Sequence, residues 1–108
     1  MATTTVQYTV SAAVPAQSKA GNGNLPSVLD ISYTDANGNT QRIVGDAAPQ
    51  NYWTITFTGT VGNLYHCSAK DVQNFGITTV TAFSGGSQVA TENNSANTKI
   101  KAGVTGTL

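Results

Sequence analysis

Hydrophobic side chains recur at every second position in several stretches of this chain, the spacing that gathers them on one face of a pleated strand. Val6, Tyr8 and Val10 form the first row. Leu29, Ile31 and Tyr33 form the next, with Asp30, Ser32 and Thr34 on the opposite face. That row ends at Asp35-Ala36-Asn37-Gly38, where Asn-Gly predicts the positive φ angles of a tight hairpin turn, and the returning strand is expected over Asn39 to Val44. The cleanest alternation runs from Tyr52 to Thr58: Trp53, Ile55 and Phe57 share one face and Thr54, Thr56 and Thr58 the other. The core is expected beneath that Trp. Asn63 to Ala69 and Ile77 to Phe83 read as further strands, Ser84-Gly85-Gly86-Ser87 turns the chain into Gln88 to Glu92, and a last strand is expected from Thr98 to Val104.

No stretch keeps the 3,4 spacing of an amphipathic helix over about ten residues, and 11 glycines among many β-branched residues lower helix propensity further. About seven or eight short strands with regular turn signals predict an all-β, immunoglobulin-like sandwich, mostly antiparallel and almost without helix. A chain of 108 residues suits one domain, 1–108, with one core. Ser11 to Ser27, holding Pro15, Pro26 and Gly21-Asn22-Gly23-Asn24, breaks the rhythm and is expected to be a long irregular loop at 11–27. Loops of that length are usually functional or disordered; a plain crossover is the other reading, because closure entropy grows slowly with length.

Charge changes the picture more than length does. Five acidic and five basic residues make only 9% of the chain, so Thr, Ser, Asn and Gln must keep the surface wet. Lys19, Arg42, Lys70, Lys99 and Lys101 are scattered, which speaks against phosphate neutralisation and thus against nucleic acid. The same scatter removes a polybasic membrane surface, and no apolar run approaches the roughly 18 residues of a membrane-spanning helix. Met1-Ala2-Thr3-Thr4-Thr5 has neither the basic nor the apolar region of a secretory signal. Cys67 is the only cysteine, so no intramolecular disulfide is available.

The run Leu29 to Gln41, Val6-Gln7-Tyr8-Thr9-Val10, Trp53-Thr54-Ile55-Thr56-Phe57, Leu64-Tyr65-His66-Cys67-Ser68-Ala69 and the closing part from Gly76 resemble the MmpS-like family. This is the extracytoplasmic domain of the mycobacterial small membrane proteins and of stand-alone bacterial relatives. The resemblance spans nearly the whole chain through strand cores and turns. It implies an immunoglobulin-like sandwich, an extracytoplasmic location (periplasmic, surface or secreted) and an accessory role beside a lipid or siderophore exporter. It implies no catalytic residue and no cofactor. The family's usual membrane anchor or lipoprotein signal has no counterpart in this chain, and the Ser11 to Ser27 loop is longer than the family leads one to expect.

Candidate chemistry is sparse. His66 beside Cys67 suggests a thiolate and base, but strand neighbours point to opposite faces, so Cys67 is expected as a buried thiol and His66 as a solvated imidazole. A hydrolase triad would need His66, and no Gly-x-Ser-x-Gly elbow accompanies it. One His and one Cys on opposite faces do not make a zinc site. Asp35, Asn37, Asn39 and Asp46 partly match a calcium loop, yet Thr40 stands where Gly is needed and Asp46 where a bidentate Glu belongs, so a hairpin turn is the expected role. Tyr65-x-Cys67 with Trp53 imitates an immunoglobulin tyrosine corner without its partner Cys. Gly21-x-Gly23 opens no helix, and Asn93-Asn94-Ser95 is a formal glycosylation sequon. No catalytic, cofactor-binding or metal-binding residue is assigned.

Two functional expectations follow. The first is a non-catalytic interaction module that binds a protein partner through a sheet face, a sheet edge or the 11–27 loop. The second is a self-assembling structural subunit of a virion, filament or surface layer.

Overall fold

The computed structural model of this protein describes residues 2–13, 28–44, 48–72, 77–94 and 101–108. They hold eight strands: β1 (Thr3–Ala13), β2 (Leu29–Thr34), β3 (Thr40–Ile43), β4 (Tyr52–Thr60), β5 (Leu64–Asp71), β6 (Ile77–Ser84), β7 (Ser87–Asn93) and β8 (Ala102–Thr107). No helix occurs among the described residues. The strands build two four-stranded sheets, ordered β4-β1-β6-β7 and β3-β2-β5-β8, with every neighbouring pair antiparallel. The fold is thus the all-β sandwich that the alternation predicts. In the immunoglobulin CFG sheet the last two strands follow one another in the chain. Here β5 and β8 are neighbours in space, while the β6–β7 hairpin of the opposite sheet lies between them in sequence.

The two inner faces meet on the rows read from the sequence. Val6, Tyr8 and Val10 of β1 and Val80 and Ala82 of β6 face Leu29 and Ile31 of β2 and Tyr65, Cys67 and Ala69 of β5, all buried. Tyr8 is the largest fully buried side chain. Its ring meets Tyr33 and Phe57 edge-on, at centroid distances of 6.1 and 5.6 Å, and its hydroxyl donates to the carbonyl of Thr34 at 3.1 Å.

Three expectations are corrected. The core does not centre beneath Trp53. The Trp53, Ile55 and Phe57 row does face inward, but β4 is an edge strand, so these side chains are half-buried at the rim, Trp53 lying against Tyr33. The last strand runs Ala102–Thr107, past the expected end at Val104, and pairs with β5 from Leu64↔Thr107 to Ala69↔Ala102; Lys101 is not in it, and Thr98 to Ile100 of the expected strand lie outside the described residues. Gly106 obscures that strand because its lack of a side chain is filled from elsewhere: a Cβ there would lie 2.6 Å from the Tyr65 hydroxyl and 2.7 Å from its ring, which folds over the glycine. Finally, Ser11, Ala12 and Ala13 of the expected 11–27 loop belong to β1, and the rest of that loop lies outside the described residues.

The turns show their residue chemistry. Gly85 and Gly86, at φ 60° and 85°, form the two-residue link between the paired Ser84 and Ser87. At the β2–β3 hairpin only Gly38 takes a positive φ, 80°, so Asn37 does not share that role. Gly38 N donates to Asp35 O at 3.1 Å and Asp35 N to Asn39 O at 2.9 Å, a three-residue loop that ends in a left-handed glycine.

Ile31→Ala, at the centre, is expected to cost about 2–5 kcal/mol, whereas Trp53→Ala at the rim should stay below about 3 kcal/mol. Urea unfolding measures both, and a Trp53 loss exceeding that of Ile31 would contradict the edge placement. Gly106→Ala should cost about 1–3 kcal/mol by forcing the Tyr65 ring from its seat.

Candidate functional site

The outer faces of the two sheets differ in chemistry. On the β3-β2-β5-β8 sheet, Asp30, Arg42, Lys70 and His66 lie among Ser32, Thr34, Ser68 and Thr105. Asp30 is only 7% exposed although it sits on an outer face. Its Oδ2 accepts from Arg42 Nη2 at 3.2 Å, Lys70 is its cross-strand partner on β5, and its Oδ1 is buried without a hydrogen bond. Asp71, at the inner end of β5, is fully buried and accepts from Val28 N at 3.3 Å, which fixes the chain as it enters β2. Neither carboxylate stands out in the sequence, where both read as ordinary polar positions. The register, which only the pairing reveals, places them.

The outer face of the β4-β1-β6-β7 sheet carries no charged side chain among its described strand residues. The registers line up Thr54, Thr9, Thr81 and Thr91 as one rung across all four strands. The rungs on either side are Thr56, Gln7, Phe83 and Gln88, and Tyr52, Ser11, Thr79 and Asn93. Hydroxyls are partly tied down: Thr54 Oγ1 donates to Tyr8 O at 3.0 Å and accepts from Gln7 Nε2 at 3.2 Å, and the Thr81 and Thr91 hydroxyls lie 3.0 Å apart. The result is a broad uncharged surface, mostly of methyl, hydroxyl and amide groups, with the rings of Tyr52 and Phe83 among them. Thr is the natural residue for it, because it favours strands and is wettable without charge.

The residues singled out from the sequence fall apart in space. Cys67 points into the core and is fully buried, while His66 points outward on the next position of β5. Burial pushes the Cys67 thiol up from 9.0 to about 12, so thiolate chemistry near neutrality is closed to it. Beside the β2–β3 hairpin an open groove of about 480 Å³ is lined by Thr34, Asn37, Asn63, Leu64, His66 and Thr105. It offers hydrogen-bonding groups and the exposed Leu64, but no carboxylate or thiol beside the imidazole. Asp35 does not present its carboxylate as a cation ligand. Oδ1 accepts from Asn37 N and Asn39 N at 2.9 and 3.0 Å, and Oδ2 from Gln41 Nε2 at 2.8 Å. The Gln41 amide first, and then the Asn39 and Asn37 amides, hold that carboxyl below its usual range. Asp46, the other end of the calcium-like spacing, lies outside the described residues. Asn93 of the sequon ends β7 in the open, while its neighbour Asn94 accepts from Thr78 N at 2.7 Å.

Compared with known proteins, the chain matches no family model and no curated sequence.

Two buried acids set an alkaline limit. Burial raises Tyr8 from 10.0 to about 12, as it does Cys67, so the unfolded chain ionises before the native one. Stability is therefore expected to be intact below about pH 9 and to fall as pH rises toward 12. Cys67→Ala should delay the onset to about pH 10, where the phenol takes over. Urea titrations across this range measure the shift, and an unchanged onset in the variant would show that Cys67 does not set it.

Proposed function

We propose that this chain is a non-catalytic interaction module acting outside the cytoplasm, the role implied by its resemblance to MmpS-like domains. The observation that supports it is the outer face of the β4-β1-β6-β7 sheet, whose described strand residues carry no charge there. Covering charged groups is costly unless each finds a partner, whereas hydroxyls and amides are less costly to desolvate. Interface cores are accordingly depleted of Lys, Glu and Asp. Asp30, Arg42 and Lys70 lie on the outer face of the other sheet, which leaves this face suited to being covered. The second reading, a structural subunit, is favoured by a different feature, the free edge of β4.

A photo-reactive amino acid at Thr81, in the full-length gene product expressed in its own cell, is expected to cross-link one partner protein. The same group at Thr105, on the opposite sheet, should not. Capture of the same partner from both positions, or none from Thr81, would overturn the assignment of this face.

A further inference from the structure

We infer that the free edge of β4 pairs with β4 of a second copy of this chain, antiparallel about a two-fold axis at Thr56. Exposed sheet edges are usually blunted by shortness, charge, proline, a bulge or a covering element. The other edges show these devices. Strand β3 has four residues and carries Arg42, β7 has a register shift at Ala82/Phe83 and carries Glu92, and β7 and β8 lie against each other. Among the described residues strand β4 shows none: its nine residues, YWTITFTGT, hold no charge and no proline, and its register with β1 is unbroken from Ser11↔Tyr52 to Thr3↔Thr60.

The backbone shows which groups are open. Ala12 N donates to Asn51 O at 2.9 Å and Val61 N to Ala2 O at 3.0 Å, at the two ends of the β1–β4 ladder. Bonded pairs alternate in an antiparallel ladder, so between these ends β4 bonds to β1 through Trp53, Ile55, Phe57 and Gly59. The N–H and C=O groups of Thr54, Thr56 and Thr58 then point away from β1, where none of them has a partner among the described residues. The chain closes both ends of this window itself, Tyr52 N donating to Gln50 O at 2.7 Å and Asn63 N to Thr60 O at 3.1 Å. What stays open is symmetric about Thr56.

That symmetry selects the partner. Pairing Thr56 with Thr56 and Thr54 with Thr58 of the second copy gives each pair two backbone hydrogen bonds. The same register sets Ile55 opposite Phe57 and Trp53 opposite Gly59, so inward side chains stay on the inward face. The half-buried Trp53, Ile55 and Phe57 rim is then covered by its own copy, and the indole fills the space beside a glycine. A two-fold axis sets like beside like, and a strand without charge bears no repulsion there. The product is one eight-stranded sheet whose threonine face is doubled. This inference rests on backbone geometry and not on the covering of that face by another protein.

Sedimentation equilibrium of the purified full chain is expected to show a mass that rises with concentration from 11.1 kDa toward twice that value. Thr56→Pro removes an edge N–H that β1 does not use, and Thr56→Lys sets two like charges on the axis. Each should weaken dimerisation at least about tenfold while leaving the monomer's unfolding midpoint nearly unchanged. Should the proline variant misfold, the lysine variant decides. As a test of register, Thr56→Cys treated with a short bis-maleimide should give a covalent dimer and Gln88→Cys, on the far edge, should not; the buried Cys67 stays silent. A mass fixed at 11.1 kDa, a dimer indifferent to Thr56→Lys, or equal cross-linking at Gln88 would overturn the inference.

Discussion

The packing of Tyr8 holds the two sheets together by both of the forces available to them. Its ring belongs to β1, between β4 and β6, and is fully buried against the opposite layer. Edge-on contacts tie it to Phe57 within its own sheet and to Tyr33 across the sandwich, and its hydroxyl reaches the carbonyl that ends β2. An aromatic this large, with its polar tip satisfied, supplies apolar burial and a fixed alignment at one point. The position of the β2–β3 hairpin follows from it, because Thr34 is the last residue before that turn. So does part of the seat of Trp53, whose ring packs on Tyr33 at the margin of the core.

Strands and turns were legible in the residues because each rests on local chemistry. Alternation locates β1, β2, β4 and β6, and the glycines mark the turns at Gly38 and Gly85-Gly86. Which strand is central is a different property. Tyr52 to Thr58 alternates most cleanly because β4 is an edge strand with its outer face open, a position that demands wettable residues at every second place. Strands β2 and β5 lie inside their sheet, and there the outward-facing Asp30 and Ser68 are buried as well as the inward row. A clean alternation therefore measures how open the outer face is, not how near the strand lies to the core. The same distinction explains the misplacement of the core beneath Trp53.

The candidate sites divide along a similar line. The separation of His66 from Cys67 and the service of Asp35 to its own turn follow from positions close in sequence, which strand and turn geometry decide. The Thr54, Thr9, Thr81 and Thr91 rung could not be read that way. Its members come from four strands whose order, β4-β1-β6-β7, interleaves distant parts of the chain. Asp30 is similar: Arg42 reaches it from β3 and Lys70 stands opposite it on β5, and only the pairing of the strands sets these around a carboxylate that reads as a plain outward residue.

The scarcity of charge links the surface to the edges. Proteins keep strands from pairing with strangers largely by placing lysine, glutamate or proline at the margins of their sheets. A chain with ten charged residues cannot guard every margin in that way. This one uses shortness and Arg42 at β3, a register shift at β7, and the mutual packing of β7 with β8. Nothing of the kind is used at β4 among the described residues, although Thr56→Lys would be a single substitution on an exposed face that β1 does not need. A margin left open by lack of means would be short, irregular or polar on both faces. This one is nine residues long, regular in register, and apolar on the side that a matching strand would cover. Those are the features of a strand that continues its sheet.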